Sequence, residues 1–153
     1  MIAGGGMPMD AVVSDFLSGA AELLSPDNDA DHWDVIEGQG SLFHPAYAAV
    51  TLGLVHGSQP DAMVLCHQAG RAEIDDYPGY AIPPFAECIR RYEEAARLTN
   101  PAARMVGLSI NTSGLNESER NKVLSAAARK TRLACVDPIA TGVKDLLPEF
   151  QPA

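Results

Sequence analysis

Short, mostly apolar runs alternate with helical patterns along this chain, and this alternation restricts the fold more than any other feature. The runs are HWDVIEG (32–38), AMVLC (62–66), RMVGLSI (104–110) and LACVDP (133–138). Strands without regular apolar and polar alternation are typical of a parallel sheet that is covered on both faces. The order of elements therefore predicts an α/β fold, a parallel sheet flanked by helices.

Segments with helical periodicity lie before, between and after these runs. The spacing predicts helices over 9–25, 44–59, 85–99 and 116–132, with a last helical turn or two in 141–150. Asn116, followed three residues later by Glu119, is typical of a capping box at the start of the fourth helix. Residues 67–84 contain prolines and glycines without periodicity, which predicts a long functional loop.

Composition narrows the class of protein. The 153 residues fit one domain, and the formal net charge of −9 argues against a protein that wraps nucleic acid or docks on anionic lipid. The expected partner is a small-molecule substrate. The three cysteines lack metal-ligand spacing and indicate reduced thiols in a cytoplasmic protein. The late basic residues are interpreted as a solvated helix face: Arg120, Lys122, Arg129, Lys130 and Arg132.

Polar side chains follow each apolar run, and they are densest after the first. Ligands of parallel sheets bind beyond the carboxyl ends of the strands, so these side chains are expected at one edge. The segment EGQGSLFHPAY (37–47) follows the first run, His67 to Arg71 the second, Asn111–Thr112 the third and Asp137–Pro138 the fourth. One shared crevice is predicted for Glu37, His44, His67, Arg71 and Asn111.

A carboxylate at the end of a strand, such as Glu37, is where P-loop proteins hold Mg²⁺ or its bound water. Its partner is a glycine-rich loop that ends in Lys-Ser or Lys-Thr, and this chain contains no Gly-Lys pair. MIAGGG (1–6) has the character of the tail of a strand. We therefore expect the chain to be the later part of a larger protein, lacking the phosphate loop.

The segments MIAGGGMPMDAVVSDFLSGAAE, VIEGQGSLFHPAYAAVTLGLVHGSQPDAMVLCH, YPGY and LTNPAARMVGLSINTSGL resemble the C-terminal P-loop domain of the D-glutamate N-acetyltransferase-like family. Members of that family also carry a Rossmann-like N-terminal domain. The EG-x-G element is more distantly similar to dethiobiotin synthetase. The resemblance implies that 1–153 is a single, partial P-loop NTPase-like three-layer sandwich, without the phosphate loop and the upstream domain.

The resemblance also implies a function, the transfer of an acetyl group from acetyl-CoA to the amino group of D-glutamate. The full-length protein is expected to be a homo-oligomer, and this fragment alone is expected to be inactive. Two alternatives stay open. One is an ATP- and Mg²⁺-dependent ligase like dethiobiotin synthetase, and the other is a non-catalytic nucleotide-sensing or oligomerisation module.

Each candidate residue has a role and a competing structural explanation. A carboxylate or histidine would deprotonate the amine, and backbone N–H groups around Gly38–Ser41 would stabilise the oxyanion. Arg71 either clamps a substrate carboxylate or pairs with a nearby loop acid, and His44 either acts in the site or caps a helix. The predicted catalytic residues are Glu37 and His44, with Glu37 also the candidate for Mg²⁺ through water; the substrate-binding residues are Gln39, Ser41, His67 and Arg71; and the cofactor-binding residues are Gly38, Gly40 and Asn111.

Overall fold

The structure, a computed structural model, describes residues 5–29 and 31–150. The chain divides into two compact units, residues 1–60 with 94–102 and residues 61–93 with 103–153. The expectation that MIAGGG ends a strand falls mostly on residues 1–4, which lie outside the described residues. In the described part of the chain, no helix combines the length and apolarity that crossing a bilayer requires.

The first unit contains helices α1 (Leu17–Leu24) and α2 (Ala48–Ser58). The helix predicted over 9–25 is regular only from Leu17, because two 3-10 turns, Met9–Ala11 and Ser14–Phe16, precede it. Val13 and Phe16 are 66 % and 69 % exposed, so this stretch buries no apolar face that would stabilise an α-helix.

Glycines of α2 allow its backbone to approach α1 closely. A Cβ atom at Gly57 would lie 2.1 Å from the carbonyl oxygen of Ser18, and one at Gly53 would lie 2.9 Å from the Cβ of Leu17. Ala21, buried in α1, faces the same contact. Only glycine fits at these two positions of α2 without moving the helices apart.

The strand predicted over 32–38 does not form, and this prediction is wrong. Residues 31–40 are exposed throughout and contain no strand. Val35 is 94 % exposed and Ile36 43 %, so the two apolar residues that suggested a strand have no buried face to pack against. The segment is an irregular connection before α2.

The second unit is a βαβαβ arrangement, and it confirms the predicted α/β fold. Its elements are β1 (Ala62–Gln68), α3 (Phe85–Ala96, of which 94–96 belong to the first unit), β2 (Arg104–Asn111), α4 (Glu117–Thr131) and β3 (Ala134–Val136). The described strands form a parallel sheet in the order β1-β2-β3. Three of the four apolar runs in the sequence are therefore strands of one parallel sheet.

Helices pack on one face of this sheet around the central strand. Leu108 and Ile110 are fully buried and contact Leu124 of α4, and Phe85 of α3 packs at the margin of the same cluster. On the other face, Leu146 of the 3-10 helix Lys144–Phe150 contacts β2, where a Cβ at Gly107 would lie 2.3 Å from its Cδ2 atom. The central strand is thus covered on both faces.

The capping box and the loop predicted for this unit are both present, and the function of the loop stays a prediction. Asn116 forms a capping box, since its Oδ1 accepts from the Glu119 N–H at 3.0 Å and its own N–H donates to Glu119 Oε2 at 3.0 Å. The long loop begins after Gln68 and is more regular than expected. Glu73 and Ala81 form an antiparallel bridge, flanked by a 2.8 Å hydrogen bond from the Ile74 N–H to the Tyr80 carbonyl.

Candidate functional site

Contacts to the backbone of Gln39 and Gly40 hold the polar segment 37–41 against the start of α2. The hydroxyl of Thr51, a buried residue of α2, donates to the carbonyl oxygen of Gln39. Gly40 has a φ of +60°, and a Cβ built there would lie 2.8 Å from the Cβ of Tyr47. Gly40 is therefore required by its backbone conformation and by its close neighbour, independently of any ligand.

The side chains of Glu37 and Gln39, at and just before the residue that Thr51 holds, are accessible. Glu37 and Gln39 are exposed, and a Cβ at Gly38 would meet no atom within 4 Å. Ser41 is half-buried, and its Oγ accepts from the Phe43 N–H at 3.2 Å. Within the described residues the Glu37 carboxylate makes no ion pair or hydrogen bond. This geometry is compatible with the predicted roles of these residues, which stay predictions.

His44 is buried, and its Nδ1 accepts the backbone N–H groups of Ala46 at 3.2 Å and Tyr47 at 3.3 Å. Its ring lies 4.4 Å from the ring of Tyr47. These contacts stabilise the turn that precedes α2; the N-cap of the helix itself is Tyr47. Because Nδ1 accepts, the neutral ring carries its proton on Nε2. In that tautomer Nε2 is a hydrogen-bond donor, and the catalytic roles of His44 and Glu37 stay predictions.

In the second unit, the residues after neighbouring strands meet at one edge of the sheet, as predicted. Gln68 pairs with Asn111 at the ends of β1 and β2, and the Ala69 N–H donates to the Asn111 carbonyl at 2.9 Å. Asp137 directly follows β3 at the same edge. The wider crevice, which would also include the residues of the first unit, stays a prediction.

His67 and Arg71 have different surroundings. His67 is half-buried and its ring meets that of Phe85 edge to face at 5.2 Å. Burial, and then the positive charge of Arg71, lower the pKa of His67, which favours the neutral ring at pH 7. Arg71 Nη1 lies 3.5 Å from Asp75 Oδ2, and both side chains are well exposed. Pairing with a loop acid is thus observed, and the clamp role stays a prediction.

Asp137 lies at the centre of a buried hydrogen-bond network that the sequence did not reveal. Its Oδ2 accepts from the Thr112 N–H at 2.9 Å and from the Thr112 hydroxyl. Its Oδ1 accepts from the N–H groups of Ile139 at 3.0 Å and Ala140 at 2.9 Å. The Thr112 hydroxyl and the Ala140 N–H hold the pKa of this carboxyl far below its usual range. The charged carboxylate thereby joins the loops that follow β2 and β3.

Arg120 belongs to the same network, so its interpretation as part of a solvated helix face is wrong. It is half-buried, and its Nε donates to the Thr112 Oγ1 at 3.1 Å. The other basic residues of that group are exposed: Lys122, Arg129, Lys130 and Arg132. The available sequence signal was a threonine after one strand and an aspartate after the next, with an arginine in the helix between them.

Asn111 is exposed at the end of the central strand, where its Oδ1 accepts from the Ser113 N–H at 2.9 Å. The amide nitrogen therefore points away from the backbone of its own loop. Across residues 5–29 and 31–150, no group of three or more His, Cys, Asp or Glu side chains lies close enough to hold a metal ion. The cofactor role of Asn111 and the Mg²⁺ role of Glu37 stay predictions.

Comparisons with known proteins agree with this fold. The family model described as "Domain of unknown function (DUF1611_C) P-loop domain" matches residues 1–147. Two curated relatives, each named D-glutamate N-acetyltransferase, come from Pseudoalteromonas sp and Tritonibacter scottomollicae; they are 45 % and 44 % identical over 147 residues, 96 % of this chain. The chain spans 44 % of the length of each.

A solved structure shows the same architecture. The crystal structure of a DUF1611 family protein from Anabaena variabilis matches this chain with a TM-score of 0.84 and 37 % identity, covering 97 % of this chain and 44 % of that one. The resemblance found in the sequence is thereby confirmed, together with the P-loop class of α/β fold. The chain belongs to the DUF1611 family, as its C-terminal P-loop domain.

Proposed function

We propose that this chain is the C-terminal portion of an enzyme that transfers an acetyl group to the amino group of D-glutamate. The observation that supports this most directly is the 44–45 % identity, over 96 % of the chain, to two proteins that bear that name. Since the chain spans 44 % of those relatives, the proposal concerns the natural full-length protein.

Glu37 is the proposed general base. An amino group is protonated at neutral pH, so it must lose a proton before its nitrogen can attack the acetyl carbonyl. Glu37 is exposed, and it lies two residues before the backbone that Thr51 anchors to α2. An accessible carboxylate on an anchored segment can reach a substrate amine without displacing another partner.

His44 is the proposed donor to the acetyl oxygen. Its Nδ1 accepts from the N–H groups of Ala46 and Tyr47, so in the neutral ring Nε2 carries the proton. A fixed N–H donor stabilises the negative charge that develops on a carbonyl oxygen during acyl transfer. Backbone N–H groups around Gly38 to Ser41 supplement it, and acetyl-CoA, as second substrate, supplies the thioester that is cleaved.

The remaining predicted residues would bind substrates. Gln39 and Ser41 offer hydrogen-bonding groups beside the proposed base, and Gly38 and Gly40 allow close approach of the donor. His67, neutral because of its lowered pKa, can donate or accept one hydrogen bond. Arg71 would exchange its exposed partner Asp75 for a substrate carboxylate, which costs little since exposed ion pairs are weak.

A second candidate function is an ATP- and Mg²⁺-dependent ligase reaction. It is favoured by the exposed amide of Asn111 at the end of the central strand, a position suited to contact a nucleotide base. The reaction products separate the two functions. Acetyl transfer releases a free thiol and forms N-acetyl-D-glutamate, whereas the ligase consumes ATP. A non-catalytic module would do neither.

The natural full-length protein should be assayed with acetyl-CoA and D-glutamate, with thiol release and the acetylated product measured together. Glu37→Gln should lower kcat by at least about a hundredfold, the usual contribution of a general base. Glu22→Gln, an exposed acid on α1, is the matched control and should leave kcat unchanged. Acetyl transfer is excluded if no thiol is released, and the base role is excluded if Glu37→Gln turns over normally.

A further inference from the structure

Arg120 differs from the other basic residues of α4 in its fixed orientation. It is half-buried, and its Nε donates to the Thr112 Oγ1 at 3.1 Å, whereas the arginines and lysines farther along the helix are exposed. An arginine side chain loses considerable rotamer freedom when it is held in this way. The position therefore fixes a guanidinium at the carboxyl edge of the sheet.

The network behind Thr112 determines which edge of the guanidinium is used. The Thr112 hydroxyl donates its single proton to Asp137, so its oxygen can only accept from Arg120. Asp137 is held in turn by the N–H groups of Ile139 and Ala140. Nε–H provides one of the five N–H groups of a guanidinium. Within the described residues, Nη1 and Nη2 make no hydrogen bond or ion pair.

Among residues 5–29 and 31–150, no acidic side chain forms a direct ion pair with Arg120. The Asp137 carboxylate accepts four hydrogen bonds from Thr112, Ile139 and Ala140, and it reaches Arg120 only through the Thr112 hydroxyl. The guanidinium therefore keeps an attraction for a second negative group. It does so beside the end of the central strand, where ligands of parallel α/β sheets bind.

We propose that Arg120 binds an oxyanion, a carboxylate or a phosphate, through its two terminal nitrogens. A planar fork with two parallel N–H donors matches two oxygens of either group. Assigning that oxyanion to a substrate rests on the proposed function. D-Glutamate would supply a carboxylate and acetyl-CoA a phosphate, and both present the chemistry that this site recognises.

Equilibrium binding to the natural full-length protein tests the proposal. D-Glutamate and coenzyme A are titrated separately by calorimetry into the wild type, Arg120→Gln and Arg120→Lys. Arg120→Gln should weaken one of the two probes about tenfold to hundredfold, the range for lost charge-assisted hydrogen bonds. The probe that weakens identifies the source of the oxyanion. Arg120→Lys keeps the charge but loses the fork, and its affinity should be intermediate.

Arg129→Gln is the matched control, because it removes the same charge from an exposed position of the same helix. It should leave both affinities unchanged. If Arg129→Gln weakens binding as much as Arg120→Gln, the attraction is a diffuse field and the proposal fails. It also fails if Arg120→Gln binds both probes as the wild type does.

Thr112 is a positioning residue in this proposal. Thr112→Val keeps the shape but loses the hydroxyl that holds Arg120, so it should weaken the same probe. Thr112→Ser restores the hydroxyl and should recover the affinity, which a purely steric role of Thr112 would not predict. Should Thr112→Val fail to fold, normal binding by Thr112→Ser together with weak binding by Arg120→Gln still supports the site.

The outcome is separable from that of acetyl transfer. If the wild type releases no thiol but binds a probe in an Arg120-dependent manner, the oxyanion site stands and the proposed reaction falls. If acetyl transfer proceeds and Arg120→Gln changes neither affinity nor KM for either substrate, the reaction stands and the site falls.

Discussion

Two regions of the molecule present polar groups, and they are held in different ways. One is the segment 37–41 before α2, and the other consists of the loops after β2 and β3. Around Gln39 the chain is shaped by the left-handed backbone of Gly40 and by one hydroxyl from Thr51. Around Asp137 it is shaped by a buried carboxylate with four hydrogen bonds. The first region therefore depends on backbone conformation, and the second depends on charge and on pH.

The largest expected effect is from Asp137→Asn. The amide NH2 group that replaces one carboxylate oxygen can only donate, yet it faces two hydrogen-bond donors of the protein. The stronger hydrogen bonds to a charged acceptor are lost as well. The free energy of unfolding should fall by about 3 kcal/mol, the upper range for hydrogen bonds to a charged group. Urea unfolding of the full-length protein measures it. Asp145→Asn, an exposed acid of the same unit, should change it little, and equal effects would refute the comparison.

The same carboxylate should make the second region sensitive to acid. Its pKa is lowered in the folded protein, chiefly by the Thr112 hydroxyl and then by the Ala140 N–H, so the unfolded chain binds a proton more readily. The stabilisation is complete above the ordinary aspartate pKa of about 4 and is lost as the pH falls through the folded-state pKa. Urea midpoints from pH 7 downward should fall more steeply for the wild type than for Asp137→Asn. Parallel curves would contradict this.

Gly40→Ala should disturb the first region by a different mechanism. A left-handed backbone costs a non-glycine residue about 1–2 kcal/mol, and the added Cβ would lie 2.8 Å from the Cβ of Tyr47. We expect a loss of about 2 kcal/mol or more that does not vary with pH. Gly38→Ala is the control, since its Cβ would meet no atom within 4 Å. A larger effect at Gly38 would disprove the anchoring role of Gly40.

The smallest expected effect is from Thr51→Val. The change removes the hydroxyl that donates to the Gln39 carbonyl and keeps the volume, so it should cost about 1 kcal/mol. Thr51→Ser keeps the donor and serves as the comparison for it. Thermal unfolding of both variants, with acetyl transfer measured in parallel, shows whether the anchor acts on stability or on the position of Glu37. No change in either quantity would remove Thr51 from the anchor.

The fold was largely predictable because a strand that is buried on both faces appears in the sequence as a run of consecutive apolar residues. Leu108 and Ile110 belong to a continuous apolar run that is covered on both faces, and the Asn116 cap is a local motif. The failed strand had only Val35 and Ile36 to suggest it, and strand formation needs a partner that no local pattern specifies.

The candidate site was less predictable because its contacts join positions that are distant in sequence. Thr112 and Asp137 are 25 residues apart, and Arg120 lies 8 residues from Thr112. The sequence of a helix rich in basic residues does not distinguish Arg120, which contacts the loop after β2, from the basic residues that are exposed to solvent. The tautomer of His44 is set by backbone N–H groups, so it too becomes visible only when the turn before α2 is seen.

The Asp137 network also affects how fast amide protons exchange with deuterated solvent. The amides of Thr112, Ile139 and Ala140 lie outside the regular strand pairing, where loop amides normally exchange within the shortest measurable times. Here they donate to a buried carboxylate. The Thr112 amide, which reaches Asp137 from the other loop, is released only when the two loops separate, whereas the Ile139 and Ala140 amides are released when their own turn opens. Deuteration of the Thr112 amide therefore measures how often the loops after β2 and β3 separate, and deuteration of the Ile139 and Ala140 amides measures how often the turn after Asp137 opens.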